Sequence, residues 1–164
     1  MKTLKYDFKD KTLLELALTQ SGANSQHNNE RLEFIGDRVL GLTIAQMLYD
    51  MFPNEPEGDL ARRHAMLVSA ETLAGVAKKL GLDKQIKHGH MTGGRITHIM
   101  ADAMEAIFGA IFIDGGWGAA QKTIAELWQP LAMADISAPK DPKTALQEFV
   151  QKHDNGALPE YEYL

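Results

Sequence analysis

The chain has 164 residues, 45% of them hydrophobic and 24% charged, which fits one folded domain with room for part of a second and excludes extensive disorder. It contains no cysteine, which excludes disulfide bonds, thiolate zinc sites and a cysteine nucleophile and is compatible with a reducing cytoplasm. The net charge of −5 excludes a surface that is basic throughout, but leaves room for a local basic face that contacts nucleic acid.

Helical periodicity dominates the first 130 residues or so, and the sequence therefore predicts an all-α fold. The predicted helices lie at 11–19, 29–50, 59–68, 70–79, 83–88, 98–114 and 117–127. We expect Asn28 or Asn29 to cap the second helix, Ser69 to cap the fourth, and Gly81 to end the fourth with left-handed backbone. Pro130 is expected to close the last of these helices. The stripe of the second helix that faces the core is predicted at Leu32, Ile35, Val39, Leu42 and Gln46, with Phe34 and Met47 beside it.

The last part of the chain has a different pattern. Residues 132–141 are predicted to be a linker between a first domain at 1–131 and a tail at 142–164. The tail begins with a helix that Asp141 caps, and a strand follows in which Tyr161 and Tyr163 alternate with glutamates. Because one helix and one strand cannot bury a core, we expect the tail to be the truncated start of a second domain.

Two features bear on location. The N-terminus lacks the apolar segment of a signal peptide. The longest apolar run, near 99–113, is interrupted by Asp102 and Glu105 and does not reach the ~18 residues that a spanning helix needs. We therefore expect a cytoplasmic protein with no membrane partner.

The second predicted helix carries acidic residues on one face. Glu30, Glu33 and Asp37 stand at positions i, i+3 and i+7, which share a helical face. Taken alone, such a stripe is more often a solvated surface, and Arg31 and Arg38 offer partial compensation of its charge.

The predicted helix at 98–114 argues against a merely solvated acidic surface. Asp102 and Glu105 are its only charges between His98 and Asp114, so the helix must be buried on nearly all sides. Buried carboxylates are costly unless they are paired or bind a metal. One explanation is a salt bridge to an arginine such as Arg62. We favour the other, in which the two acidic faces meet and the carboxylates of Glu33, Asp37, Asp102 and Glu105 converge on a divalent cation.

Oxygen ligands without cysteine favour Mg²⁺ or Mn²⁺, and such a cation suits phosphodiester hydrolysis because it activates water and stabilises a leaving oxygen. Glu57, in the turn before the third helix, is a candidate fifth carboxylate at the rim, although a plain surface residue is the commoner case. The chain has no Glu-x-x-His pair of the kind that di-iron bundles use, and no glycine-rich phosphate loop. We therefore expect no organic cofactor.

The segment NERLEFIGDRVLGL at 29–42 resembles the signature of the ribonuclease III family, the endonucleases specific for double-stranded RNA. The resemblance continues through FKDKTLLELALT at 8–19, EGDLARRHAMLVSAETLA at 57–74, ADAMEAIFGAIFIDGG at 101–116 and DPKTALQEF at 141–149. It covers essentially the whole chain in the family's order. Two departures are Ala61-Arg62-Arg63-His64, where the family usually has Ser-Arg-hydrophobic-Arg, and Gln20, near which a histidine often stands.

The resemblance implies an all-α endonuclease bundle at 1–131, a homodimer, and Mg²⁺-dependent cleavage of double-stranded RNA to 5′-phosphate and 3′-hydroxyl products in rRNA and mRNA processing. It implies metal ligation by Glu33, Asp37, Asp102 and Glu105, with Asp37 and Glu105 catalytic. It also implies accessory acidic roles for Glu30 and Glu57, and insertion of Phe34 into the partner subunit. The tail resembles the truncated start of an α/β double-stranded-RNA-binding domain.

Binding to RNA is expected through phosphates and 2′-hydroxyls, because side chains cannot read the deep groove of an A-form duplex. The basic candidates for these contacts are Arg62, Arg63, Lys84 and Arg95. An alternative function is a non-catalytic member of the same fold that serves as an RNA-binding or assembly module. Loss of the metal carboxylates would distinguish that alternative, and none of the four is lost.

Overall fold

The computed structural model describes residues 4–89 and 96–134 together with residue 150. These residues form the helices α1 (Lys11–Ala17), α2 (Glu30–Met51), α3 (Glu57–Leu67), α4 (Ala70–Leu80) and α5 (Ile96–Ala134), with a 3₁₀ turn at Leu82–Lys84. Within the described ranges there is no extended strand, only an isolated parallel bridge between Thr19 and Lys87. The predicted all-α fold is confirmed. The predicted tail at 142–164 lies outside the described residues, apart from residue 150.

The helix ends follow local side-chain chemistry. The side-chain oxygen of Asn28 accepts a hydrogen bond from the first N–H of α2, that of Glu30, at 3.1 Å, whereas the side chain of the N-cap residue Asn29 makes no capping bond. Ser69 caps α4 by accepting from Thr72 N–H, and Gly81 ends α4 at φ 73°, both as predicted. The predicted helix at 83–88 is wrong, because after the 3₁₀ turn the chain extends so that Lys87 can pair with Thr19.

Helix α5 runs further than the sequence predicts. The expected break after Asp114 is a kink at Gly116, where φ is 76° and the helix resumes at once. Pro130 does not close the helix, which continues to Ala134 and thus past the predicted domain boundary at 131. Trp128 and Ala132, on either side of the proline, are buried, so packing holds this last stretch on the bundle.

Helix α5 forms the centre of the core and packs chiefly against α2 and α4. The rings of Phe108 and Trp128 pack edge-on, with 5.4 Å between their centres. The indole N–H of Trp128 donates to the carbonyl of Leu67 at 2.8 Å. By length and composition alone α5 could cross a membrane, but half of its most apolar stretch of 18 residues is buried inside this fold. Core helices of globular proteins meet the same criterion, so the finding is weak evidence for a membrane span.

Two glycines allow α2 and α5 to touch through their backbones. A Cβ atom built on Gly36 would lie 1.8 Å from the carbonyl oxygen of Glu105. A Cβ atom built on Gly109 would lie 2.1 Å from the carbonyl oxygen of Leu32. Any other residue at either position would push the helices apart, so these glycines set the distance between the acidic faces of α2 and α5.

Candidate active site

The crossing of α2 and α5 sets the helix turns that carry four carboxylates against each other. Glu33 and Asp37 flank Gly36 on α2, and Asp102 and Glu105 lie on the facing turns of α5. All four side chains are partly buried. The backbone contact thus puts the two acidic segments side by side, and the sharing of one cation by the four carboxylates stays a prediction.

Electrostatic coupling between the two helices supports this arrangement. Burial, followed by repulsion from Asp37, Glu33 and Asp102, raises the pKa of Glu105 to about 7. Burial likewise raises the pKa of Glu33, followed by repulsion from Asp102, Glu30 and Asp37. Because carboxylates on α2 and α5 raise one another's pKa, they form one site rather than two separate acidic patches.

Asp102 differs from its neighbours because it has a neutral hydrogen-bond donor. Burial raises its pKa, and a hydrogen bond from the side-chain amide of Gln20 acts in the opposite direction. The reasoning from sequence missed Gln20, whose only signal was its departure from the family pattern.

The alternative of a salt bridge to Arg62 is wrong. Arg62 pairs with Asp59 on its own helix, and among the described residues no ion pair joins an arginine to Asp102 or Glu105. Asp37 pairs with the adjacent Arg38, which is exposed. The two carboxylates on α5 are thus left for a solvent cation or for protons.

The four carboxylates have the oxygen atoms that a hard divalent cation prefers, but they stand too far apart to hold one as they are placed. Carboxylate oxygens are the ligands that Mg²⁺ and Mn²⁺ prefer. As placed, however, no three histidine, aspartate or glutamate side chains of the described residues stand close enough together to hold an ion. Binding would therefore have to draw these side chains inward against their mutual repulsion.

The two accessory acidic residues occupy different places. Glu30 is exposed at the start of α2, close enough to Glu33 to raise its pKa. Glu57 begins α3 and lines a surface groove with Leu48 and Tyr49. Leu48 lies about 22 Å along α2 from Glu33, given a rise of 1.5 Å per residue. The expectation that Glu57 joins the four carboxylates at their rim is therefore wrong within a single chain.

The basic residues that are predicted to contact RNA differ in how exposed they are. Arg63 is only 2% exposed, binds Glu55 through two hydrogen bonds of 2.8 and 2.7 Å, and stacks on Phe52. This arginine is a structural residue, so its prediction as an RNA contact is wrong. Lys84 is exposed and Arg62 is partly exposed, which keeps both as candidates, whereas Arg95 lies outside the described residues.

An apolar stripe runs along the outer face of α2. It consists of Phe34, Leu42 and Tyr49, which are 64%, 60% and 72% exposed. Assignment of Leu42 to the core was wrong, because the core side of α2 is the side that faces α5. The guanidinium of Arg38 lies 4.4 Å from the centre of the Phe34 ring and covers part of this α2 stripe.

Comparisons with known proteins agree on one family. Residues 10–131 match the family model described as ribonuclease-III-like. Ribonuclease 3 of Zymomonas mobilis is 45% identical over 98% of this chain and 66% of its own length. Ribonuclease 3 of Thiobacillus denitrificans is 46% identical over 98% of this chain and 73% of its own length. The chain thus spans roughly two thirds to three quarters of the length of these two curated relatives.

Solved structures show the same similarity. A nuclease domain of ribonuclease III from Campylobacter jejuni superposes with a TM-score of 0.69 at 36% identity, covering 77% of this chain and 92% of that one. That structure is described for flexibility in the region involved in dimer formation of the domain. A Dicer from Pichia stipitis superposes with a TM-score of 0.67 at 26% identity, covering 91% of this chain and 70% of that one.

Proposed function

Because the chain belongs to the ribonuclease III family, we propose that it is an endoribonuclease that hydrolyses phosphodiester bonds of double-stranded RNA, leaving 5′-phosphate and 3′-hydroxyl ends. The observation that carries this proposal is the contact between α2 and α5 at Gly36, which brings four carboxylates from two helices into one coupled site. We also propose that the setting is RNA processing in the cytoplasm.

The proposal includes a divalent cation, Mg²⁺ with Mn²⁺ as a substitute, held by Glu33, Asp37, Asp102 and Glu105. Neighbouring carboxylates repel one another without a cation, and this repulsion adds to burial, the larger cause, in raising the pKa of Glu105. When bound, such an ion lowers the pKa of water and stabilises negative charge on a leaving oxygen.

Asp37 and Glu105 are the proposed catalytic side chains. The carboxyl group of Glu105 is partly protonated near neutral pH, because burial and three acidic neighbours raise its pKa to about 7. Its proton is released when positive charge at the site offsets those neighbours. The Asp37 carboxylate is also available to bind a cation, because its ion pair with Arg38 is at the surface and therefore weak.

RNA is proposed to lie against the acidic site with its phosphates held by exposed cations. Lys84 and Arg62 fit this role among the described residues, and Arg95 stays a prediction. With a net charge of −5, the chain can neutralise few phosphates, so we expect weak binding that falls as salt rises.

We further propose that the protein is a homodimer joined through the α2 stripe. Three large apolar side chains on one helix face, each more than half exposed, favour burial in an interface. A second copy of the chain is the simplest partner, because a two-fold axis would place the same stripe on itself. Phe34 then lies both in the interface and between Glu33 and Asp37 on α2.

Incubation of the chain with a long RNA duplex, in Mg²⁺ and in chelator, tests the activity. We expect shortened duplexes with 5′-phosphate ends in Mg²⁺ only, no cleavage of a DNA duplex of the same sequence, and no cleavage by Asp37→Asn. RNA binding without cleavage in either Mg²⁺ or Mn²⁺ would instead favour the non-catalytic binding module. Cleavage that persists in chelator would overturn the metal site.

A further inference from the structure

Gln20 lies in the loop between α1 and α2, and its backbone is fixed on both sides. Its N–H donates to the carbonyl of Lys87 at 3.0 Å. Its own carbonyl accepts from the N–H groups of Ala23 at 2.9 Å and Asn24 at 3.1 Å. The preceding residue, Thr19, forms the isolated bridge with Lys87. The side chain of Gln20 therefore leaves the backbone from a position that the loop has little freedom to change.

That side chain reaches the first turns of α5. Its amide nitrogen lies 3.4 Å from a carboxylate oxygen of Asp102 and 3.4 Å from the carbonyl oxygen of Ile99. An amide group has two N–H donors, so both contacts can be made at once. The carbonyl of Ile99 belongs to a rigid helix, so it holds the amide in the orientation that Asp102 requires.

We propose that Gln20 is a positioning residue, which holds one oxygen of the Asp102 carboxylate and turns the other towards the shared site of α2 and α5. The inference rests on the proposed function, because it takes Asp102 to be a ligand of the divalent cation. Ligand carboxylates in metal sites are commonly oriented by hydrogen bonds from outer residues. A glutamine suits this task, since it donates without adding a positive charge that would compete with the cation.

The length of the two hydrogen bonds is compatible with this role. Contacts of 3.4 Å are at the long end of hydrogen-bond geometry. In active sites without substrate, hydrogen bonds are often long and tighten only in the loaded complex. Gln20 is also partly buried, so little bulk water competes for its amide.

Calorimetric titration of the whole chain with Mn²⁺ tests the proposal. Gln20→Met has nearly the same length but no N–H donor, and we expect it to bind Mn²⁺ about tenfold or more weakly. Its melting temperature without metal should stay close to that of the parent, because the contacts it loses are long. Gln20→His keeps one N–H donor at a similar reach and should recover most of the affinity.

Two further variants sharpen the experiment. Gln46→Met is the matched control on α2, because it removes the oxygen that accepts a hydrogen bond of 3.0 Å from the Gln121 amide of α5 and should leave Mn²⁺ affinity unchanged. Gln20→Asn keeps the amide but is shorter by one methylene group, so it should lose affinity as Gln20→Met does. It also serves as the test if Gln20→Met does not fold.

The outcomes separate this inference from the proposed function. If Gln20→Met and Gln20→Asn bind Mn²⁺ as tightly as the parent while Asp102→Asn binds it more weakly, Gln20 has no positioning role. The metal site itself is then still supported. Parental affinity in Asp102→Asn overturns both. Loss of affinity in Gln20→Met that Gln20→His does not restore assigns the effect to packing and also overturns the positioning role.

Discussion

Gly36 of α2 lies directly against the backbone carbonyl of Glu105 on α5, with no room for a side chain between them. The residues on either side of this contact are the ones whose charges interact, so the closest approach of the two helices and the centre of the acidic site coincide. A small change in helix spacing here would therefore alter both the stability of the bundle and the geometry of the site.

The first prediction concerns this contact. Gly36→Ala should destabilise the chain by about 3 kcal/mol or more, because the added Cβ would lie 1.8 Å from the Glu105 carbonyl oxygen and the helices would have to separate. Urea unfolding followed by circular dichroism measures the change. Gly75→Ala on α4 is the control, since a Cβ there meets nothing within 4 Å, and we expect a gain of about 0.5–1 kcal/mol. Equal stability of Gly36→Ala and the parent would show that the helices do not touch here.

The second prediction concerns the charge of Glu105 in the metal-free protein. Its pKa in the folded chain is about 7, above the ordinary value of 4.5, so ionisation between these two pH values destabilises the folded state. Glutamine cannot ionise, and Glu105→Gln should therefore melt higher than the parent at pH 8 and similarly to it near pH 4.5. The thermal melts are run in chelator, with the exposed Glu15→Gln on α1 as the control.

The same variant tests the chemistry. In Mg²⁺, Glu105→Gln should cleave duplex RNA at least about 100-fold more slowly, because a negative ligand is lost where charge develops in the reaction. A lower melting point in chelator combined with retained cleavage would contradict the role of Glu105 in the site and would indicate a structural pairing instead.

The third prediction concerns the α2 stripe. Phe34→Ala should weaken self-association by about tenfold or more in sedimentation velocity, because large aromatic side chains dominate the energy of interfaces. The melting of the isolated subunit should change little, since Phe34 is already 64% exposed there. Met133→Ala removes a side chain of similar exposure, 62%, from the end of α5 and should leave association unchanged. A parent chain that sediments as a monomer at micromolar concentration would refute the proposed dimer.

The fourth prediction concerns the N-terminal segment. The hydroxyl of Tyr6 donates to Asp114 at 2.7 Å, and the same carboxylate accepts from the N–H groups of Lys9 and Asp10. Tyr6→Phe should lower the melting temperature at pH 7 by about 2–5 °C, since it removes the side-chain hydroxyl that donates to Asp114. Tyr49→Phe removes a hydroxyl from a side chain that is 72% exposed and should have no effect.

The Tyr6 contact also predicts a dependence on pH. Burial, followed by the hydrogen bond to Asp114, raises the pKa of Tyr6 from 10.0 to about 12, so its stabilisation is present below pH 10 and is lost as the pH rises towards 12. The hydrogen bond from Tyr6 lowers the pKa of Asp114, so the contribution of that carboxylate is lost in strong acid. The difference in melting between the parent and Tyr6→Phe should therefore shrink at both extremes. A difference that is constant from pH 3 to pH 12 would contradict this origin.

The sequence by itself determined most of the helices, the two ends of α4 and the acidic faces, because all three depend on residues a few positions apart. Ser69 and Gly81 bound α4 through bonds and backbone angles within one turn of themselves. The i, i+3 and i+7 spacing that puts Glu33 and Asp37 on one face is likewise a property of any α-helix. The cost of burying Asp102 and Glu105 on an otherwise apolar helix then predicted that this face meets the carboxylates of α5.

Only the tertiary structure decided which side of each helix is covered and which distant residues meet. Leu42 has the spacing of a core residue, but the direction from which α5 approaches leaves it exposed. Arg63 has the charge of an RNA contact, but Glu55 and Phe52 enclose it. Gln20 and Asp102 meet across 82 positions of sequence, because the loop after α1 is pinned to Lys87 and lies within reach of the first turns of α5. Such contacts depend on how helices pack, which no local pattern of residues encodes.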